Sequence, residues 1–240
     1  MPPRLSIIIP AHNEEERLPR TLPQILGHLD SRPYSSEVIL VDSGSHDRTA
    51  EIGRAYQETR EDFRLIRVER PGKGLAVKRG MLAATGEYRF ICDADLSMPI
   101  DQVDRFFPPE LESSQIAIAS REIEGSVRYD EPAYRHLIGR AFNTLVRLLA
   151  IPGIQDTQCG FKCFRADIAE DLFRMQRLEG WTFDVEILYV ALKRGYRIEE
   201  VPIPWYYFPG SRVHIVRDSI AMFLDLFRIR LNDLRGVYDR

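Results

Sequence analysis

Apolar residues follow two rhythms along this chain. In the first half, short unbroken apolar runs alternate with stretches in which apolar positions recur every three or four residues. The runs at 5–11, 37–42, 63–69, 88–94 and 116–121 predict buried strands, and 14–29, 47–59 and 73–85 predict helices. Pro19 and Pro23 disturb the first helix, and Gly86 is expected to close the third. Strands alternating with helices predict an α/β fold on a mostly parallel, doubly wound sheet flanked by helices. The second half is less regular. Helical spacing returns at 134–151, 182–196 and 217–235. Segment 160–167 reads as a strand and turn, and 197–208, with its prolines, as an edge strand.

Such sheets bind ligands outside the carboxyl ends of their strands. The polar residues after the first, second and fourth strands should therefore converge: His12-Asn13-Glu14, Asp42-Ser43-Gly44-Ser45 and Asp93-Ala94-Asp95. Asp93 and Asp95 stand one residue apart where an apolar run finishes. Two crowded carboxylates repel, so a cation should hold them together. A hard divalent cation fits, because it takes oxygen ligands and leaves positions open for phosphates. An exposed turn is the plainer alternative.

The loop 41–49 (VDSGSHDRT) can approach an anion at a helix start, although Asp47 near the N-cap explains part of it. Lys73 sits between Gly72 and Gly74 at another helix start, where it could reach a phosphate; the P-loop order is absent. Segment 155–165 (QDTQCGFKCFR) gathers Asp156, Gln158, Lys162 and Arg165 around a glycine. Arg121, Arg128, Arg135 and Arg212 lie in or beside loops of the same half. Together they suggest a second anion, and singly they suit solvated surface.

Composition narrows the class. The chain has 240 residues, 44% hydrophobic and 29% charged, which suits one large core. Its formal charge of -3 argues against a general nucleic-acid binder. Cys92, Cys159 and Cys163 complete neither a disulfide framework nor a zinc pattern, and reduced thiols in a cytoplasmic chain are expected. Met1-Pro2-Pro3-Arg4 runs straight into the first strand, so no signal peptide is expected. No apolar run approaches the roughly 18–20 residues of a membrane span. Helices 134–151 and 217–235 carry apolar stripes edged by arginines. These could pack on the core, or lie in an anionic membrane interface.

As an ordered set, IIIPAHNEEERL, VDSGSHDRT, GKGLAVKRG, DADLS and DTQCGFKCFR resemble the inverting family 2 glycosyltransferases with the GT-A (Rossmann-like) fold. DTQCGFK, with WTFDVEILYVA and PGSR behind it, looks most like the dolichyl-phosphate β-glucosyltransferase branch of the polyprenyl-phosphate hexosyltransferases. The resemblance covers roughly residues 4–215. It implies a catalytic domain over 1–215 and an amphipathic extension over 216–240. It also implies a nucleotide-sugar donor, UDP-glucose ahead of GDP-mannose, and a polyprenyl or dolichyl phosphate acceptor. Pro10, Asn13, Glu14, Asp42, Lys73, Gly74, Asp93 and Ala94 match donor-binding positions. Asp93 and Asp95 match a pair holding Mg²⁺ or Mn²⁺. Arg121 and Arg212 match phosphate-holding positions, with Arg128, Arg135, Lys162 and Arg165 as further candidates. Asp95, Asp156, Arg121 and Arg212 form the expected catalytic set. Ser43 stands where many relatives carry a second Asp, which weakens the nucleobase match.

A phosphate acceptor needs no strong base, since its second pKa is about 6. Asp156 is therefore expected to position a neighbour ahead of acting as a base. The enzyme is expected on the cytoplasmic, inner face of a membrane, held peripherally. Three rivals stay open: a family 2 enzyme acting on a soluble glycan hydroxyl, a nucleotidyltransferase, and a non-catalytic nucleotide-sugar binding protein.

Overall fold

The structure, a computed structural model, describes residues 1–112, 115–208 and 215–239; the side chains of 135, 138, 141, 142 and 215–217 lie outside that description. Strands β1 (Leu5–Ala11), β2 (Ser36–Ser43), β3 (Phe63–Val68) and β4 (Tyr88–Ile91) run parallel. β5 (Ile116–Ser120), β7 (Lys162–Arg165) and β8 (Ile198–Pro202) complete a seven-stranded sheet of order β3-β2-β1-β4-β7-β5-β8. β7 is antiparallel to both neighbours. β6 (Val127–Tyr129) and β9 (Pro204–Tyr206) form a separate parallel pair.

Helices cover both faces, so central strands are apolar on both sides. Alternate residues of β1 enter different cores. Ile8 packs with Ala76, Val77 and Met81 of α3 (Lys73–Ala83), with α5 (Ala166–Met175) and with α6 (Phe183–Lys193). Ile7 and Ile9 pack with Leu18, Leu22 and Ile25 of α1 (Leu18–Asp30). α2 (Thr49–Thr59) lies against β3.

Several expectations change. The first helix starts at Leu18, because the Glu14 carbonyl takes the amides of Arg17 and Leu18 in a preceding turn. β4 ends at Ile91, which puts Asp93 and Asp95 in a loop. Gly86 does not cap a helix. Its amide donates to Ser6 Oγ, and an added Cβ would lie 2.5 Å from that oxygen. Segment 166–175 is a helix with Ile168, Ala169, Leu172 and Phe173 inward. Segment 197–208 breaks into β8 and β9 around buried Ile203. The short β6 and the 3-10 segment Ile100–Phe106 had no periodic signal of their own.

α4 (Ala133–Leu149) and α7 (Ile215–Leu234) touch one another. Val146, Leu226 and Ile229 turn into the same core as Ile8. Leu137, Leu148 and Leu234 are 71%, 76% and 85% exposed, and Ile220, Phe223, Leu224 and Phe227 are also exposed. Among the described residues, no helix is long and apolar enough to cross a membrane. Past α7 the chain folds back, and the buried Tyr238 hydroxyl donates to Glu186 Oε1 at 2.6 Å.

Candidate active site

A cavity of about 720 Å³ opens at the carboxyl ends of β1, β2 and β4. The three polar loops do converge there. His12 Nδ1 meets the Ser43 carbonyl at 2.7 Å. The Asn13 amide donates to Ser45 Oγ (2.8 Å), and the His46 amide donates to Asn13 Oδ1 (2.9 Å). Asn13 adopts φ 54°, which its short polar side chain tolerates. The Glu14 amide donates to Thr49 Oγ1, and Arg17 grips both Glu14 carboxylate oxygens. Asp47 accepts the amides of Thr49 and Glu15, so it caps α2 and ties it to the first loop.

Pro10, Glu14, Ser43, Lys73, Asp93, Ala94 and Asp95 line the cavity. Asp42 does not. It is fully buried, accepting the Ser45 amide and Arg67 Nε at 3.2 Å each. Gly74 is also displaced from its expected place. An added Cβ would meet Phe183 Cβ at 2.7 Å and the Leu178 carbonyl at 2.8 Å, so this glycine serves close packing while Gly72 faces the cavity.

Lys73 Nζ lies 2.8 Å from Asp93 Oδ1 and 2.9 Å from Oδ2, and 5.4 Å from the Trp181 ring centre. Burial pulls the Lys73 ammonium down, but Asp93, Asp184 and Asp95 outweigh it and hold it above the usual lysine value. Asp95 Oδ1 accepts the Ser97 amide at 3.0 Å. Gly160 backs the pair, since a Cβ there would fall 2.2 Å from Asp93 Oδ2. It arrives because β7 lies beside β4, with Lys162 opposite Ile91.

Asp184, at the start of α6, was not singled out in the sequence. It lines the cavity while almost fully buried, and Lys162 Nζ holds it at 2.8 Å. Burial pushes the Asp184 carboxyl up, with Lys162 and Lys73 opposing. Lys162 also donates to the Cys159 carbonyl. It is buried behind Asp184 and does not itself line the cavity. The signal that could have found Asp184 was an acid beside Trp181 at an otherwise apolar helix start.

Arg121 and Asp156 are a bidentate pair, with Nε–Oδ2 at 2.6 Å and Nη2–Oδ1 at 3.0 Å. The Arg121 and Gln158 amides also donate to Asp156. Burial pushes the Asp156 carboxyl up, but Arg121 overcomes this and brings it down to about 2. Arg121 still lines the cavity, 5.4 Å from the Trp205 ring centre. Arg128 lies 5.8 Å from the same ring centre and is spent on Glu122 and Glu131, each at 2.5 Å. Arg165 is not at the site. β7 runs away from the cavity, so Arg165 pairs with Tyr88 at the far end of β4, exposed and bonded to Asp167. The Arg135 side chain and all of Arg212 lie outside the described residues.

Among the described residues, no group of three or more acidic, His or Cys side chains forms a ready metal cage. Asp93 and Asp95 nevertheless offer two carboxylates on one open cavity. That donor set fits Mg²⁺ or Mn²⁺, which is commonly bound by one or two carboxylates with substrate phosphates completing the shell.

Comparison with known proteins bears on the family and the fold. The model of Glycosyl transferase family 2 matches residues 6–173. The dolichyl-phosphate beta-glucosyltransferase of Dictyostelium discoideum is 34% identical, over 98% of this chain and 76% of its own length. The enzymes of the same name from Drosophila melanogaster (35%, over 98% and 76%) and Homo sapiens (33%, over 98% and 77%) match similarly. Among solved structures, glucosyl-3-phosphoglycerate synthase of Mycobacterium tuberculosis with Mn²⁺, UDP and phosphoglyceric acid superposes with TM-score 0.69. It is 19% identical, over 96% of this chain and 78% of that one. The same enzyme with Mg²⁺ and UDP gives TM-score 0.68 at 19% identity, over 96% and 79%. At these identities the structures speak for the fold.

Proposed function

This chain belongs to glycosyl transferase family 2, and from that premise we propose that it transfers glucose from UDP-glucose to a dolichyl-type polyprenyl phosphate, with inversion at the anomeric carbon. The observation that carries the acceptor class is the state of Asp156. Four donors occupy its carboxylate, and it stays ionised far below neutral pH. It is poorly placed to take a proton from a hydroxyl acceptor. A phosphate monoester needs no such base, because near pH 7 it is largely a dianion.

The chain's residues divide the work. Pro10, Glu14, Lys73 and Ala94 face the nucleotide-sugar, while Asn13 and Asp42 hold the shape of the loops around it. Asp93 and Asp95 would hold the divalent cation, which when bound supplies Lewis-acid neutralisation of the leaving diphosphate. Arg121, fixed by Asp156, presents its guanidinium to the attacking phosphate, and Trp205 keeps that guanidinium in place. Positive charge develops on the sugar ring in the transition state, as in glycosyl transfer generally.

The carrier's tail needs an apolar medium. α4 and α7 both contribute to the cavity wall, through Asn143 and Met222, and both expose apolar faces beside it. These faces are proposed to rest in the interface of a cytoplasm-facing membrane leaflet.

The decisive assay supplies labelled UDP-glucose and GDP-mannose in parallel, with and without polyprenyl phosphate. Label extracted into chloroform only with UDP-glucose and carrier is the expected result. Label transferred to a soluble sugar would overturn the acceptor, and preference for GDP-mannose would overturn the donor.

A further inference from the structure

Two buried or half-buried ion pairs, Asp93–Lys73 and Asp184–Lys162, meet at one cavity, which Asp93, Lys73 and Asp184 line. The Lys73 ammonium sits on Asp93, one of the two carboxylates read above as the cation's seat. It is confined there. Gly72 and Gly74 bring its backbone against the 178–179 segment, and the Trp181 ring lies beside the ammonium. The same cavity is lined by Asp184, a buried carboxylate already carrying Lys162 at 2.8 Å. Asp184 shares the cavity with Lys73 and, among the described residues, makes no ion pair with it within 4.0 Å.

We propose that Lys73 is a built-in counter-cation which neutralises Asp93 until a divalent cation takes its place, and that the Lys162–Asp184 pair is a positioning unit that sets how firmly Lys73 stays there. Three carboxylates, Asp93, Asp95 and Asp184, face two ammonium groups. An unpaired carboxylate in such surroundings is costly, so Asp93 needs a cation of some kind, and Lys73 supplies one. A divalent ion on Asp93 repels the ammonium at short range. The freed Lys73 then has two anions within reach of its flexible stem, Asp184 and the diphosphate of the donor. Lys162 neutralises Asp184, which keeps Asp184 from capturing Lys73 and leaves it available to the diphosphate. The device makes donor and cation binding cooperative: each is weak alone, and together they give Lys73 a partner.

The inference rests on reading Asp93 and Asp95 as the cation's ligands, and the test separates the two. Mn²⁺ binding without nucleotide is followed by the loss of the free-ion paramagnetic resonance signal, in the wild type and in Lys73→Met. Removing the competing ammonium is expected to tighten Mn²⁺ alone by about tenfold. The same variant, at saturating Mn²⁺, is expected to bind UDP about tenfold more weakly by calorimetry. Lys162→Met leaves Asp184 free to draw Lys73 away, so Mn²⁺ alone should again bind tighter. That gain should shrink when Lys73 is already Met, because the effect passes through Lys73. Asp184→Asn should do the reverse, weakening Mn²⁺ alone only while Lys73 is present; it serves if Lys162→Met does not fold by thermal unfolding.

Unchanged Mn²⁺ affinity in Lys73→Met, or strictly additive effects in the double variants, would overturn this inference alone. Mn²⁺ binding that survives Asp95→Ala would overturn the reading of the cation site beneath it.

Discussion

At the scale of single residues, Asp156 has the most to say. Its carboxyl is held near 2 in the folded chain, below its ordinary value of 3.8. A depressed carboxyl stabilises the fold above its unfolded pKa and loses that contribution as pH falls through its folded one. Chemical unfolding followed from pH 5 to pH 2 should therefore lose on the order of 2 kcal/mol more in the wild type than in Asp156→Asn. The same variant should raise KM for polyprenyl phosphate and lower kcat, with the donor KM little changed. A loss confined to kcat with a missing acidic limb in the pH profile would restore the base role. Gly160→Ala tests the neighbouring contact. Its methyl would displace Asp93, and transfer should drop roughly 10- to 100-fold with the fold intact, as when groups supporting metal ligands are altered. Several candidate residues were legible from type and place alone, because a strand end fixes where a side chain goes: Pro10, Glu14, Lys73, Asp93 and Asp95 all reach the cavity. Asp42 and Gly74 were not, since the sequence does not separate a residue that shapes a loop from one that touches its contents.

At the scale of elements, the first half was readable because β1, β2 and β4 are buried on both faces and the intervening helices turn apolar residues onto them. The direction of β7 was not readable. Four residues carry no mark of which way they pair, and that reversal sends Arg165 away while delivering Gly160 and Lys162 to the site. α5 was missed although its apolar spacing is helical, because the preceding strand and Arg165-Ala166-Asp167 read as a turn. The clasp after α7 makes a testable link between elements. Glu186 Oε2 accepts the amides of Arg177 and Leu178, and Oε1 accepts the Tyr238 hydroxyl. Tyr238→Phe strands a buried carboxylate oxygen and should cost about 1–3 kcal/mol in urea unfolding. Because residues 177–179 abut Gly72 and Gly74, UDP affinity should weaken in that variant as well. Unaltered stability would mean that the clasp is idle.

At the scale of the whole molecule, the amphipathic helices pack on the core and still carry exposed apolar side chains. α7 buries Leu226 and Ile229 in the common core, yet leaves Phe223, Leu224 and Phe227 outside. The sequence could not apportion those faces, since one stripe of apolar residues looks alike whether protein or lipid covers it. Co-sedimentation with anionic phospholipid vesicles should separate the two uses. Leu148→Glu with Leu224→Glu alters only exposed positions and should leave unfolding unchanged. Vesicle binding should weaken at least about tenfold, given the burial each leucine forfeits. Equal binding by the double variant would remove these faces from the membrane. If they do lie on a bilayer, the cavity that α4 and α7 help to wall meets its acceptor in two dimensions. Turnover would then follow the mole fraction of carrier in the leaflet and ignore its bulk concentration, so added inert phospholipid would slow the enzyme while every soluble concentration stayed the same.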